Sequence, residues 1–128
     1  MDRRRISSDA KWEAAAGYSR AVLAGDRAFI SGTTSVMPDG EDPPADAYAQ
    51  ARRCFEIIFA ALAEAGGRPQ DIVRTRMFLT REEDFDDVIR AHREVFGEIR
   101  PAATAVVVSA LIEPWALIEI EADAVLAG

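Results

Sequence analysis

The chain predicts an α+β fold: a mixed β-sheet with two helices on one face, in the order β-β-α-β-α-β-β. Three observations predict it. Two segments carry apolar residues at helical spacing. Several shorter segments are β-branched and alternate between apolar and polar residues. Two helices cover only one side of such a sheet, so the other side needs a partner.

Tyr18 to Leu23 and Arg27 to Ser31 read as two strands joined by the turn Ala24-Gly25-Asp26. Ser35 to Pro44, with Pro38, Gly40, Pro43 and Pro44, reads as a surface loop. Asp46 is placed to cap a helix whose stripe is Ala51, Phe55, Ile58, Leu62 and Ala65, and Gly66-Gly67 ends it. Ile72 to Leu79 reads as a strand. Thr80 and Glu83 have capping-box spacing ahead of a second helix, with the stripe Phe85, Val88, Ile89, His92, Val95 and Phe96. Ala103 to Ser109 and Ala116 to Leu126 read as the last strands.

Alternation divides the final strand. Ile118, Ile120, Ala122, Ala124 and Leu126 share an apolar face toward the helices. Leu117, Glu119, Glu121, Asp123 and Val125 share the other. In the strand Ile72 to Leu79, Val73, Thr75, Met77 and Leu79 are expected toward the helices, and Arg74, Arg76 and Phe78 away from them. One sheet face therefore carries acids and arginines together. Two readings stand: an ion network across strands, or a ligand cleft with one carboxylate left for chemistry.

The 128 residues suit a single domain over 1–128, and an apolar fraction of 49% is enough for a packed core. The formal charge of −7 disfavours nucleic-acid binding, which depends on basic residues neutralising phosphates. No apolar run is long enough to span a bilayer, so no membrane partner is expected. Arg3 to Arg5 are not followed by an apolar stretch, so no secretory signal is expected and the arginines read as a solvated terminus. Cys54 is the one cysteine, which fits a reducing, cytoplasmic compartment, and it reads as a buried thiol.

Several segments carry a family resemblance. Gly17-Tyr18-Ser19-Arg20-Ala21-Val22 is similar to the G-P-Y-S-Q-A-V segment of the RidA (YjgF) reactive-intermediate deaminases, also described as the endoribonuclease L-PSP family. Phe29-Ile30-Ser31-Gly32-Thr33 resembles their F-x-S-G-Q strand end. Asp71 to Thr75 with Phe78-Leu79-Thr80 resembles V-K-T-x-V-F-L, Phe96-Gly97 with Arg100-Pro101-Ala102 resembles F-G-x-x-x-P-A-R, and Ile118 to Ala122 matches I-E-I-E-A. The resemblance runs in order over Gly17 to Leu126.

It implies a chorismate-mutase-like fold and a homotrimer whose sheets form a central barrel, with clefts between subunits. It implies a small-molecule metabolite as ligand. The implied reaction is hydrolysis of 2-imino and 2-enamino acids to 2-oxo acids with release of ammonia, without metal or cofactor. Glu119 matches the water-positioning glutamate. Tyr18, Ser31, Gly32 and Thr33 fall at ligand-binding positions. The sequence departs at Ala103, where archetypal members carry the arginine that binds the substrate carboxylate. Thr104 and Ala105 follow it, in place of Ser and a frequent Cys. An arginine fork holds a carboxylate by two charge-assisted bonds, so its loss disfavours anionic imino acids.

Arg76 is a candidate replacement for that charge, against a structural ion pair. His92 is a candidate acid–base group, against a packed histidine on an apolar stripe. Trp12 and Trp115 are candidates to line a cleft, against simple packing. Three functions follow: an imine or enamine hydrolase of altered specificity, a non-catalytic binding or sensing module, and a ribonuclease. The acidic charge and the lack of a basic stripe interleaved with aromatics oppose the last.

Overall fold

The computed structural model describes residues 2–127. Six strands form one mixed sheet: β1 (Arg3–Ile6), β2 (Ala21–Ala24), β3 (Arg27–Thr33), β4 (Ile72–Leu79), β5 (Ala102–Val107) and β6 (Ile118–Val125). Their spatial order is β1-β2-β3-β6-β4-β5. Every pairing is antiparallel except β4 with β5, which α3 (Phe85–Phe96) connects as a crossover. The long helix α2 (Ala47–Glu64) follows β3, and a short helix α1 (Lys11–Ala16) precedes β2.

Two elements go beyond the sequence-based order. Arg3 to Arg5 are not a loose terminus; they form β1, paired with β2 from Arg3↔Ala24 to Ile6↔Ala21. Between them and β2 lies α1, so Tyr18 to Arg20 precede the strand rather than belonging to it. Gly17 ends α1 at a φ of 79°, a left-handed conformation that glycine adopts without strain.

The core lies between the sheet and the helices α2 and α3. Ile118, Ile120, Ala122 and Ala124 of β6 are buried there with Met77 and Leu79 of β4. Above them Phe55 stacks edge-on against Phe96, with ring centroids 5.3 Å apart, and Phe59 joins the cluster. Asp46 caps α2 by accepting the Ala49 N–H at 2.8 Å.

The second helix begins differently from the expected capping box. The chain enters α3 through a 3-10 turn at Glu82–Asp84. Arg81 grips the buried Asp84 carboxylate from Nε at 2.8 Å and Nη2 at 2.9 Å. A bidentate charge-assisted pair outcompetes a neutral Thr80 cap. Val73 is also displaced. A register shift between Ile72 and Arg74 turns it out to 45% exposure, while Thr75, Met77 and Leu79 keep the helix-facing side.

The far face of the sheet carries Phe29, Arg76, Glu121, Asp123 and Val125, and neither α2 nor α3 covers it. Among the described residues no helix is long and apolar enough to cross a membrane.

Candidate functional site

The site is built around a β-bulge. Ile30 pairs with Ala122 and Thr33 with Ile120, so Ser31 and Gly32 together oppose Glu121 alone. A bulge re-aims side chains on both strands. Here it brings Gly32 against the Glu119 carboxyl, so close that a Cβ on residue 32 would collide with Oε2. The bulge is held by hydrogen bonds. Ser31 Oγ donates to the Ser19 carbonyl at 2.7 Å, and Thr33 Oγ1 donates to the Ser31 carbonyl at 2.8 Å.

A buried glutamine fixes the entry to β6. Gln50 Nε2 on α2 donates to the carbonyls of Pro44 at 2.9 Å and Trp115 at 3.2 Å. Its Oε1 accepts the Leu117 N–H at 2.8 Å, two residues before Glu119.

Glu119 lines a pocket of about 320 Å³ with Tyr18, Arg20, Gly32, Trp12 and Ile112. That volume is at the lower end of small-ligand sites. Partial burial raises the Glu119 pKa above the ordinary carboxylate range; Arg20 opposes this and Glu121 adds to it. The protonated acid is thereby easier to keep, which suits a group that must both take and return a proton. Cys54 lies nearby, and burial pushes its thiol up to about 12. Its Sγ donates to the Thr33 carbonyl at 3.2 Å. It is inert at neutral pH.

The other candidates fall in different places. Ser31 and Tyr18 line a second hollow, with Arg5, Phe29, Arg76, Glu121 and Asp123. There Arg76 bridges Glu121 at 3.3 Å and Asp123 at 3.5 Å, the ion network of the two sequence readings. Thr33 is fully buried behind the bulge. His92 lies on the opposite side of the sheet from Glu119. It shares a 2.9 Å hydrogen bond with the buried Thr75 and packs on Phe55 and Phe96. Burial lowers its pKa, so it is neutral at neutral pH. The structure does not bring His92 to the carboxylate.

Ala103, Thr104 and Ala105 lie on the outer strand β5, in register with Thr75, Arg76 and Met77. They line neither of these two pockets. Trp12 joins the pocket, its indole N–H donating to Glu113 at 3.4 Å. Trp115 does not line it. Among the described residues no group of three or more His, Cys, Asp or Glu is arranged to hold a metal ion.

Arg20 was not singled out by sequence reasoning. Its signal was present, since Arg20 stands where the resembling segment has Gln. Ile112 gave no signal, because it sits in an irregular loop without periodicity.

Residues 8–126 match the Endoribonuclease L-PSP family. The chain belongs to the RidA/YjgF family. The crystal structure of Rv2704 from Mycobacterium tuberculosis, a member of the YjgF/YER057c/UK114 family, is similar to this RidA/YjgF chain. It is 40% identical with a TM-score of 0.90, over 98% of this chain and 100% of that one. The protein SCO2049 of Streptomyces coelicolor is 38% identical over 121 residues, 94% of this chain and 90% of its own length. The 3-aminoacrylate deaminase RutC of Acinetobacter baylyi is 35% identical over 109 residues, 82% of this chain and 83% of its own. The α+β fold expected from the RidA/YjgF resemblance is the fold observed, with β1 and α1 added at its start.

Proposed function

We propose that this chain, as a single cytoplasmic domain, assembles into a homotrimer, binds a small metabolite in clefts completed between subunits, and hydrolyses an imine or enamine there. One observation carries the reading: Glu119 holds a half-buried carboxyl of raised pKa in a small pocket with Tyr18 and Arg20. The likeness to a relative named as a deaminase supports it.

In this reading an enamine first tautomerises to its imine. Glu119 accepts a proton from water as the water oxygen bonds to the imine carbon. Glu119 returns that proton to the nitrogen, giving the carbinolamine. It then takes the hydroxyl proton and passes it to the nitrogen as the C–N bond breaks, so ammonia leaves and the carbonyl forms. Water supplies the oxygen, and no oxidant is needed. The bulge carbonyls and Tyr18 position the substrate, and general acid–base work of this kind is worth about 10²–10⁴ in rate.

The test is ammonia release from 2-aminoacrylate. Glu119→Ala is expected to lose about 10²-fold or more of the turnover, and equal rates for both proteins would remove Glu119 from the mechanism. A second reading, a non-catalytic binding or sensing module, is favoured by one feature: β5 presents Ala103 where the family archetype has its anchoring arginine. Ligand-induced thermal stabilisation without turnover of any bound compound supports that alternative.

A further inference from the structure

We propose that Arg20 is the anion-holding residue of the Glu119 pocket, and that the ligand it selects is a small carboxylate carrying an apolar tail. This rests on the pocket being the ligand site and names what that site takes.

Arg20 immediately precedes β2, at the end of the sheet beside the bulge. Its Nη2 donates to the carbonyls of both bulge residues, Ser31 and Gly32. These bonds lock the guanidinium plane without an ion pair, because carbonyls are neutral; Glu13 and Glu119 act on its charge only from a distance. Arg20 Nε is buried and has no hydrogen-bond partner among the described residues. None of the ion pairs found among them includes Arg20, although Glu119 lines the same pocket. Burial lowers the Arg20 pKa even though Tyr18, Glu13 and Glu119 act in the opposite direction, so their charges do not make up for the water that the guanidinium loses. A partly buried cation held by no direct ion pair is costly, and a carboxylate in contact with it relieves that cost.

The remaining pocket wall sets the other half of the ligand. Trp12, Val36 and Ile112 line it, with Ala10 and Ala16 between them. The Trp12–Glu113 hydrogen bond ties α1 to the loop that carries Ile112 and so closes one side of the mouth. Thr34 and Glu113 also border the pocket, but along the wall of Trp12, Val36 and Ile112 a phenyl or branched alkyl group buries apolar surface. The arrangement orients the ligand, with its carboxylate at Arg20, its tail under Trp12 and its reacting carbon toward Glu119.

The replacement also explains how the chain manages with Ala103. The anchoring guanidinium is moved from the outer strand to the segment before β2, within the subunit that supplies Glu119. Arg76 is not available for this role because Glu121 and Asp123 already hold it.

The test uses phenylacetate, phenylacetamide and acetate as probes, measured by calorimetry and by ¹⁵N spectra of the arginine side chains. Phenylacetate is expected to bind the wild type about tenfold or more tightly than phenylacetamide, the difference one charge-assisted hydrogen bond makes, and to bind more tightly than acetate. It should also shift the Arg20 Nε resonance. Arg20→Gln should bring the acid and the amide within about twofold of each other, and Arg20→Lys should retain part of the preference. The pKa of Glu119, followed by carboxyl NMR, should rise further in Arg20→Gln, because the charge that lowers it is gone.

Equal affinities for acid and amide in the wild type, or a preference that survives Arg20→Gln, would overturn the proposal. If Arg20→Gln does not fold, the Arg20→Lys affinities and the wild-type Nε shift decide. Failure here is separable from failure of the hydrolase reading: a surviving preference with turnover still lost in Glu119→Ala rejects Arg20 alone. Phenylacetate that perturbs no resonance of Tyr18 or Glu119 rejects the pocket itself.

Discussion

Glu119 shows how burial and charge act on one side chain. Folding favours its neutral form, because burial raises its pKa above the unfolded value. The group's contribution to stability is therefore full below the unfolded carboxylate range and is lost as pH rises through the folded value. The charged and titratable groups around it are Arg20 and Tyr18 from the segment before β2, Glu121 on the same strand, Glu113 in the preceding loop and Cys54 on α2. Glu119→Gln mimics the neutral acid. It is expected to raise the melting temperature at neutral pH, with the gain vanishing near about pH 3, where the wild-type carboxyl is also neutral. Thermal unfolding across that pH range measures it. Single residues were unevenly legible in the sequence. Glu119 was readable from strand alternation and resemblance together. His92 kept two readings, and only the packing of Phe55, Phe96 and Thr75 around it favours the structural one.

Individual elements were legible where periodicity was strong. Helix α2 and strand β6 sit where their stripes put them, within about two residues at each end. Strand β1 was not legible, because Arg-Arg-Arg-Ile has no alternation and an exposed edge strand buries only its last residue. The bulge at Ser31-Gly32 was hidden for another reason. An extra residue is a mismatch between two strands, and one strand's sequence does not show its partner's register. That bulge is the element on which the site turns, and Gly32 tests it. Gly32→Ala places a methyl group where the Glu119 Oε2 now lies, and the carboxyl end of a flexible side chain is what yields. Stability should change by no more than about 1 kcal/mol, while the Glu119 pKa and any ammonia release should both change. Carboxyl NMR and the deaminase assay read the two effects. An unchanged Glu119 pKa would show that the bulge does not set the carboxyl's environment.

The whole molecule exposes 7540 Å². A monomer of 14.0 kDa is expected to expose about 6,700 Å². The excess is of the size one subunit buries in a standard interface. Exposed apolar side chains mark two places where a partner would fit: the far face, where Phe29 and Val125 are 47% and 41% exposed, and β5, where Val106 and Val107 are 43% and 55% exposed. The proposed homotrimer covers these surfaces. Light scattering coupled to gel filtration should find three copies per particle for the wild type and smaller species for Val107→Asp. A monodisperse wild-type monomer with Glu119 activity intact would separate the chemistry from assembly. At this scale the sequence offers an expectation alone: counting two helices against two sheet faces calls for a partner, but which edge and which residues would meet it depends on strand order, which no single segment encodes.

The two outer strands are finished differently. The β1 rim carries Arg3, Arg4 and Arg5, and their repulsion keeps another chain from adding to it. The β5 rim reads Ala-Ala-Thr-Ala-Val-Val and has neither a charge nor a proline. Sequences of that kind, left open, recruit further strands into aggregates. Dissociation of the proposed homotrimer would thus do more than separate subunits. It would leave an open, aggregation-prone strand on each separated chain, and any change that weakens association would raise the concentration of such chains and with it their tendency to precipitate.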